Sequence, residues 1–143
     1  MPINSETFSM NVSTVNNLLE QSGKNLYKNQ QDLFKFTSET NQSEWNLAHH
    51  LANEIQLLFP DYECDLDIIK PNMGRKRPDI ILHKRGNNER NFLVIEEKRD
   101  KKLVNIDLQK IQTYWFMEPL KYQFGAVVVL LDGSFTCKVI SNS

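Results

Sequence analysis

This chain is short of cysteine, long apolar runs and the common catalytic signatures, and each shortage removes a class. Its two cysteines, Cys64 and Cys137, lie far apart with no CxxC or Cys/His spacing beside them. That excludes a zinc framework, and in a reducing compartment it predicts two plain, semi-buried thiols rather than a disulfide. The longest apolar run, Ala126 to Leu131, falls well below the ~20 residues that a membrane helix needs. The opening MPINSETFSM lacks the basic-then-apolar layout of a signal peptide, so the expectation is a cytoplasmic protein with no membrane association. Gly-x-Ser-x-Gly, HExxH, Walker and dinucleotide-loop patterns are all missing. What remains is 143 residues, 40% apolar and 24% charged, the profile of one globular domain.

An overall charge excess is missing too, since 17 Lys/Arg stand against 18 Asp/Glu. The average hides an island. Between Lys70 and Lys102, eleven basic side chains face five acidic ones, leaving six basic against thirteen acidic elsewhere. A lysine-rich solvated surface would also look like this, so the charge alone decides little. Its meaning depends on what lies inside the island.

Residues 1–42 are rich in Asn, Gln, Ser and Thr, with Leu19, Leu26 and Leu33 at seven-residue intervals and Val15, Leu18, Tyr27 and Phe34 on part of the same stripe. This predicts an amphipathic helical extension that packs on the body of the protein; three leucines are too few for a coiled coil. The second segment, 43–143, carries an α/β pattern. Ala48, Leu51, Ala52, Ile55, Leu58 and Phe59 mark a helix that Pro60 stops. YECDLDII alternates as a half-buried strand, with Glu63, Asp65 and Asp67 on its solvated side. RPDIILH and NFLVIEEK, split by a Gly-Asn-Asn turn, predict an antiparallel hairpin. VNIDLQKIQTYWFME reads as a helix on Ile106, Lys110, Ile111 and Tyr114. FGAVVVLL reads as a central strand buried on both faces, and SFTCKVI as a short strand after Asp132-Gly133.

With Asn87-Asn88 at the hairpin tip, cross-strand partners have numbers summing to 175, so Asp79 faces Glu96. The period of two then places Glu96 and Lys98 on that face and Glu97 on the other. Opposed carboxylates repel, and a divalent cation of the magnesium or manganese type would resolve the repulsion. Glu44 lies on the apolar stripe of its helix, where it could join this group; Asn41-x-x-Glu44 also fits a capping box. His49, His50 and His83 read as structural.

Arg77-Pro78-Asp79, sixteen residues, then Glu96-Glu97-Lys98, preceded by a helical acid and followed by a helix and an apolar strand, resembles the PD-(D/E)xK nuclease superfamily, and within it small stand-alone bacterial proteins. The resemblance covers residues 43–131. It implies the restriction-endonuclease-like αβββαβ core with a mixed central sheet. It also implies Asp79 and Glu96 as ligands of Mg2+ or Mn2+, Lys98 as the residue that orients or activates water, and Glu44 as an added site acid. Where many members show Gln-x-x-x-Tyr, this chain has Lys110-x-x-x-Tyr114. The expected activity is phosphodiester hydrolysis by a metal-dependent endonuclease acting on DNA. Lys70, Arg75, Lys76, Arg77, Lys84, Arg85, Arg99, Lys101, Lys102 and Lys110 are the expected phosphate-binding residues, which attract a backbone without reading bases. Any further specificity would come from a homodimer or a partner protein. The rival readings are a catalytically silent module of the same fold that binds nucleic acid or protein, and a magnesium-dependent enzyme acting on nucleotides or other phosphate esters.

Overall fold

The computed structural model describes residues 10–33, 44–66, 78–86, 88–99, 101–131 and 134–142, with the side chains of 44, 45 and 103 outside the description. Helix α1 (Val12–Asn29) starts at Asn11, whose Oδ1 accepts the Thr14 N–H at 2.9 Å, a side-chain cap for one otherwise unpaired amide. Its buried residues, Val15, Leu19, Ser22, Gly23 and Leu26, follow helical spacing. Helix α2 (Glu44–Leu58) buries Leu47, Ala48, Leu51, Ala52 and Ile55. Strands β1 (Glu63–Leu66), β2 (Ile80–His83) and β3 (Leu93–Lys98) form an antiparallel run. After a 3-10 turn at Lys101–Leu103 comes helix α3 (Val104–Lys110), extended by a π turn at Ile111–Trp115. Strand β4 (Phe124–Leu131) then pairs parallel with β3, and β5 (Ser134–Ser141) antiparallel with β4. The result is a mixed α/β fold on a five-stranded sheet of order β1-β2-β3-β4-β5.

Alternation divides the sheet into two faces. Ile80, Leu82, Leu93, Ile95, Phe124, Ala126, Val128 and Leu130 join the buried residues of α1 and α2 in the larger core. Ile81, Val94 and Val127 point the other way, to Ile111, Trp115 and Phe116. One helical layer therefore covers each face. Helix α1 belongs to the larger core. Its Tyr27 hydroxyl lies against the carbonyl oxygens of Leu131 and Ser134 at the end of the β4–β5 pair. Strand β1 is an edge strand, and Gln56 occupies part of its outer rim, accepting the Cys64 N–H at 2.9 Å and donating to the Tyr62 carbonyl at 2.7 Å. A side chain thus takes hydrogen bonds that another strand would otherwise claim.

The expected sequence of helix, three strands, helix and two strands is what the chain forms. Strand β4 is buried nearly throughout and flanked on both sides. Both cysteines are free, half-buried thiols, whose burial pushes each pKa up to about 12. Among the described residues, no helix is long and apolar enough to cross a membrane. The reading of α3 needs correction. Ile106 is 60% exposed, and the buried stripe is Asp107, Ile111 and Trp115, with Val104 and Leu108 packed beside it.

Gly125 governs how closely that helix approaches the sheet. A Cβ there would run into Ile111 Cγ2 and crowd the Phe116 ring, so the helix can settle onto β4 only where this side chain is missing. Gly125→Ala is expected to cost ~1–3 kcal/mol through overpacking, read as a lower urea midpoint at unchanged m-value.

Candidate active site

The β2–β3 register is Ile80↔Ile95, Ile81↔Val94 and Leu82↔Leu93, which keeps the expected sum of 175 and carries Asp79 to the level of Glu96. Asp79 immediately precedes β2, and its Oδ2 accepts the Glu97 backbone N–H at 2.7 Å. That bond ties the carboxylate to the end of β3. Glu96 shares its sheet face with Val94 and Ile81, under α3, and is only 3% exposed. Lys98 follows on the same face, with its Nζ 3.3 Å from Asp107 Oδ2. Glu97 takes the opposite face, as alternation requires.

Helix α3 completes the group. Asp107, in its first turn, is 4% exposed and reaches Lys98. Lys110, one turn later and half-buried, acts electrostatically on both Asp79 and Glu96. Burial, with Asp79 and then Asp107 adding repulsion against the pull of Lys110 and Lys98, pushes the Glu96 carboxyl up to about 8. Asp79 is raised as well, by burial above all, against the pull of the Glu97 N–H, Lys98 and Lys110. Burial works against a charged Lys98, but Asp107, Glu96 and Asp79 outweigh it and hold the ammonium above its ordinary range. Three carboxylates and two ammonium groups leave the cluster one negative charge in excess when all are ionised. Among the described residues, Glu96 Oε1 and Asp107 Oδ2 are both buried with no hydrogen-bond partner. Polar atoms are rarely buried in this state.

The donor chemistry fits a small hard dication. Magnesium takes oxygen ligands, is commonly held by one or two carboxylates together with substrate phosphate, and keeps the rest of its shell as water. Asp79 and Glu96 provide such a pair, whereas Asp107 is engaged by Lys98. Among the described residues, no group of three or more His, Cys, Asp or Glu is arranged to hold a metal ion.

The other expected site residues separate. Lys70, Arg75, Lys76 and Arg77 lie outside the described residues, as does the Glu44 side chain. The α2 stripe, on which the catalytic reading of Glu44 was built, packs on the sheet face opposite Asp79, Glu96 and Lys98. Lys84 and Arg85 are committed elsewhere: Lys84 Nζ is 3.6 Å from Glu63, and the Arg85 guanidinium forks onto both oxygens of Asp65 at 2.5 and 2.9 Å. His83 lies 2.6 Å from the same Asp65, which makes it structural, as expected. The acidic row of β1 thus neutralises the near edge of the basic island, at the end of β2 remote from Asp79. Arg99 is half-buried beside Lys98, and Lys101 and Lys102 are exposed on the 3-10 turn that follows. Asp107 was missed. Its signal was the stripe Val104, Leu108, Ile111 and Trp115, which places position 107 on the buried side.

No family model matches the chain, and no curated protein matches it. A solved structure titled "Crystal structure of SSO0001" is similar at 16% identity and a TM-score of 0.43, over 96% of this chain and 72% of that one.

The raised Glu96 carboxyl sets a pH dependence whose direction is fixed. In the unfolded chain it ionises near its ordinary 4.5, and in the fold near 8. Its contribution to stability is therefore full below the unfolded value and is lost as pH rises through the folded one. In metal-free protein, Glu96→Gln should gain ~2–4 kcal/mol relative to wild type on moving from pH 5 to pH 8.5. Urea unfolding of both proteins at the two pH values checks this; equal differences would remove Glu96 as the source.

Proposed function

We propose that this chain is a divalent-metal-dependent endonuclease of the PD-(D/E)xK type, built on the restriction-endonuclease-like αβββαβ core and hydrolysing phosphodiester bonds in DNA. The observation that carries this reading is the pairing of half-buried Asp79 with buried Glu96, with Lys98 on the same sheet face and Lys110 of α3 acting electrostatically on both. The order α2, β1–β3, α3, β4 supports it. Charge supports it as well. With every group ionised the cluster is one charge negative, and a dication would make it one positive, which complements the single charge of a phosphodiester.

Asp79 and Glu96 would hold the ion, and the chemistry it supplies when bound is Lewis-acid polarisation of the scissile phosphate and a lowered pKa for water. Lys98 presents an ammonium that stays charged and stabilises the negative charge that builds on phosphorus-bound oxygen as water attacks. Asp79 is oriented before substrate arrives, because the Glu97 N–H fixes one of its oxygens. Lys101 and Lys102, on the exposed turn that follows Lys98 in the chain, suit neighbouring phosphates, which position a strand without reading its sequence.

The test separates chemistry from binding. Asp79→Asn and Glu96→Gln should each lower magnesium-dependent cleavage about a thousandfold, on a panel of duplex, single-stranded and branched DNA and RNA, while DNA affinity holds or rises. Lys98→Ala should lose similar activity and some affinity. Lys101→Ala with Lys102→Ala should weaken binding to every sequence and reduce the salt slope by about 2. Tight DNA binding without cleavage in magnesium or manganese, with carboxylate variants indistinguishable from wild type, would replace the nuclease by the silent binding module.

A further inference from the structure

Asp107 is costly where it stands. Its neighbours on the inward side are the buried Ile111 and Trp115 of the π turn and the half-buried Val104 and Leu108, and an apolar residue at 107 would extend the packing. A carboxylate there must give up water, which one ion pair offsets poorly. It also adds repulsion to Asp79 and Glu96, which already repel each other. Stability alone does not explain it.

Lys98 shows what the carboxylate achieves. Two residues beyond Glu96 on the same face, a flexible lysine would be expected to fold back onto the nearest unpaired carboxylate. Glu96 Oε1 is unpaired among the described residues, yet the Lys98 ammonium lies 3.3 Å from Asp107. The contact is an ion pair: attraction to a carboxylate on a packed helix draws the ammonium to that side, and an ammonium has three donors to offer an incoming oxygen. The helix itself is fixed, because Ile111 beds onto Gly125 of β4.

Resting on the nuclease reading above, we propose that Asp107 is a positioning residue: it draws the Lys98 ammonium off the Asp79–Glu96 pair, so that both carboxylates stay free for the ion and the ammonium stays free for the phosphate. Asp107 acts through Lys98 and does not itself touch substrate.

The experiment compares wild type, Asp107→Asn, Asp107→Glu, Lys98→Ala and the double variant Lys98→Ala/Asp107→Asn on whichever DNA the wild type cuts. Asp107→Asn should lower kcat about 10–100-fold, the range for residues that orient a site's own groups, with KM within about threefold. Asp107→Glu, which keeps the charge, should recover most of that loss. In the Lys98→Ala background, the Asn change should cost less than about twofold, because a residue acting through Lys98 has nothing left to act on. In metal-free protein, the Lys98 ammonium should give a slowly exchanging 15N–1H signal that Asp107→Asn abolishes. Equal losses in both backgrounds, or an unchanged Lys98 signal, would overturn the proposal while an active wild type keeps the nuclease reading. A wild type that cuts nothing takes down both.

Discussion

The register between β2 and β3 is the constraint on which the site depends. Ile80 and Ile95 belong to the α1–α2 core, and Ile81 and Val94 to the α3 core, so the pairing is fixed from both faces at once. A slip of one residue would invert every side chain on β3. Glu96 and Lys98 would turn into the larger apolar core, and Glu97 would take the place opposite Asp79. Apolar packing thereby holds two carboxylates at one level across an antiparallel pair, against their own repulsion. The bond from the Glu97 amide to Asp79 adds a polar lock at the open end of the hairpin.

Given that register, α3 decides what the paired acids meet. Its approach is set by Gly125, its rotation by Ile111 and Trp115, and its remaining inward positions carry Asp107 and Lys110. The π turn at Ile111–Trp115, in which the Phe116 N–H bonds to the Ile111 carbonyl at 3.0 Å, widens the helix and brings Trp115 and Phe116 under the sheet together. Here the π turn also closes the helix, at Trp115.

Much of this was legible in the sequence, for a definite reason. The hairpin register followed from counting outward from a turn, and strand alternation has an exact period. Helix α2 was legible because Leu51, Ala52 and Ile55 repeat regularly. Helix α3 was legible as a helix but not in its rotation: its spacing was read on Ile106, Lys110, Ile111 and Tyr114, whereas Asp107, Ile111 and Trp115 are buried, and the π turn breaks the 3.6-residue period. Asp107 was hidden for that reason, as an acid scores against burial in any pattern. The ion pairs of Lys84 and Arg85 were illegible on different grounds. A local charge count sees the basic island but not Glu63 and Asp65, which β1 brings alongside from about twenty positions earlier.

The two faces of the sheet divide the work in a way that links stability to chemistry. The α1–α2 face is apolar on all five strands, from Cys64 and Leu66 to Phe135 and Val139, apart from the buried Glu97 near the end of β3. The α3 face is apolar only in part, with Ile81, Val94 and Val127 at one end and Asp79, Glu96 and Lys98 at the other. Burying like charges is tolerable only where other packing holds the strands in place, and apolar burial at about 25 cal/mol per Å2 is the largest source of that hold. Helix α1 strengthens it directly, since Gly23 lets the helix seat against Phe135 of the far edge strand. On the proposed reading, the polar end of the α3 face is destabilising by itself and becomes favourable only when a dication and a phosphate complete its charge. The cost of burying the Glu96 carboxylate is then offset on binding, which ties affinity for the ion to the same burial that raises the carboxyl's pKa.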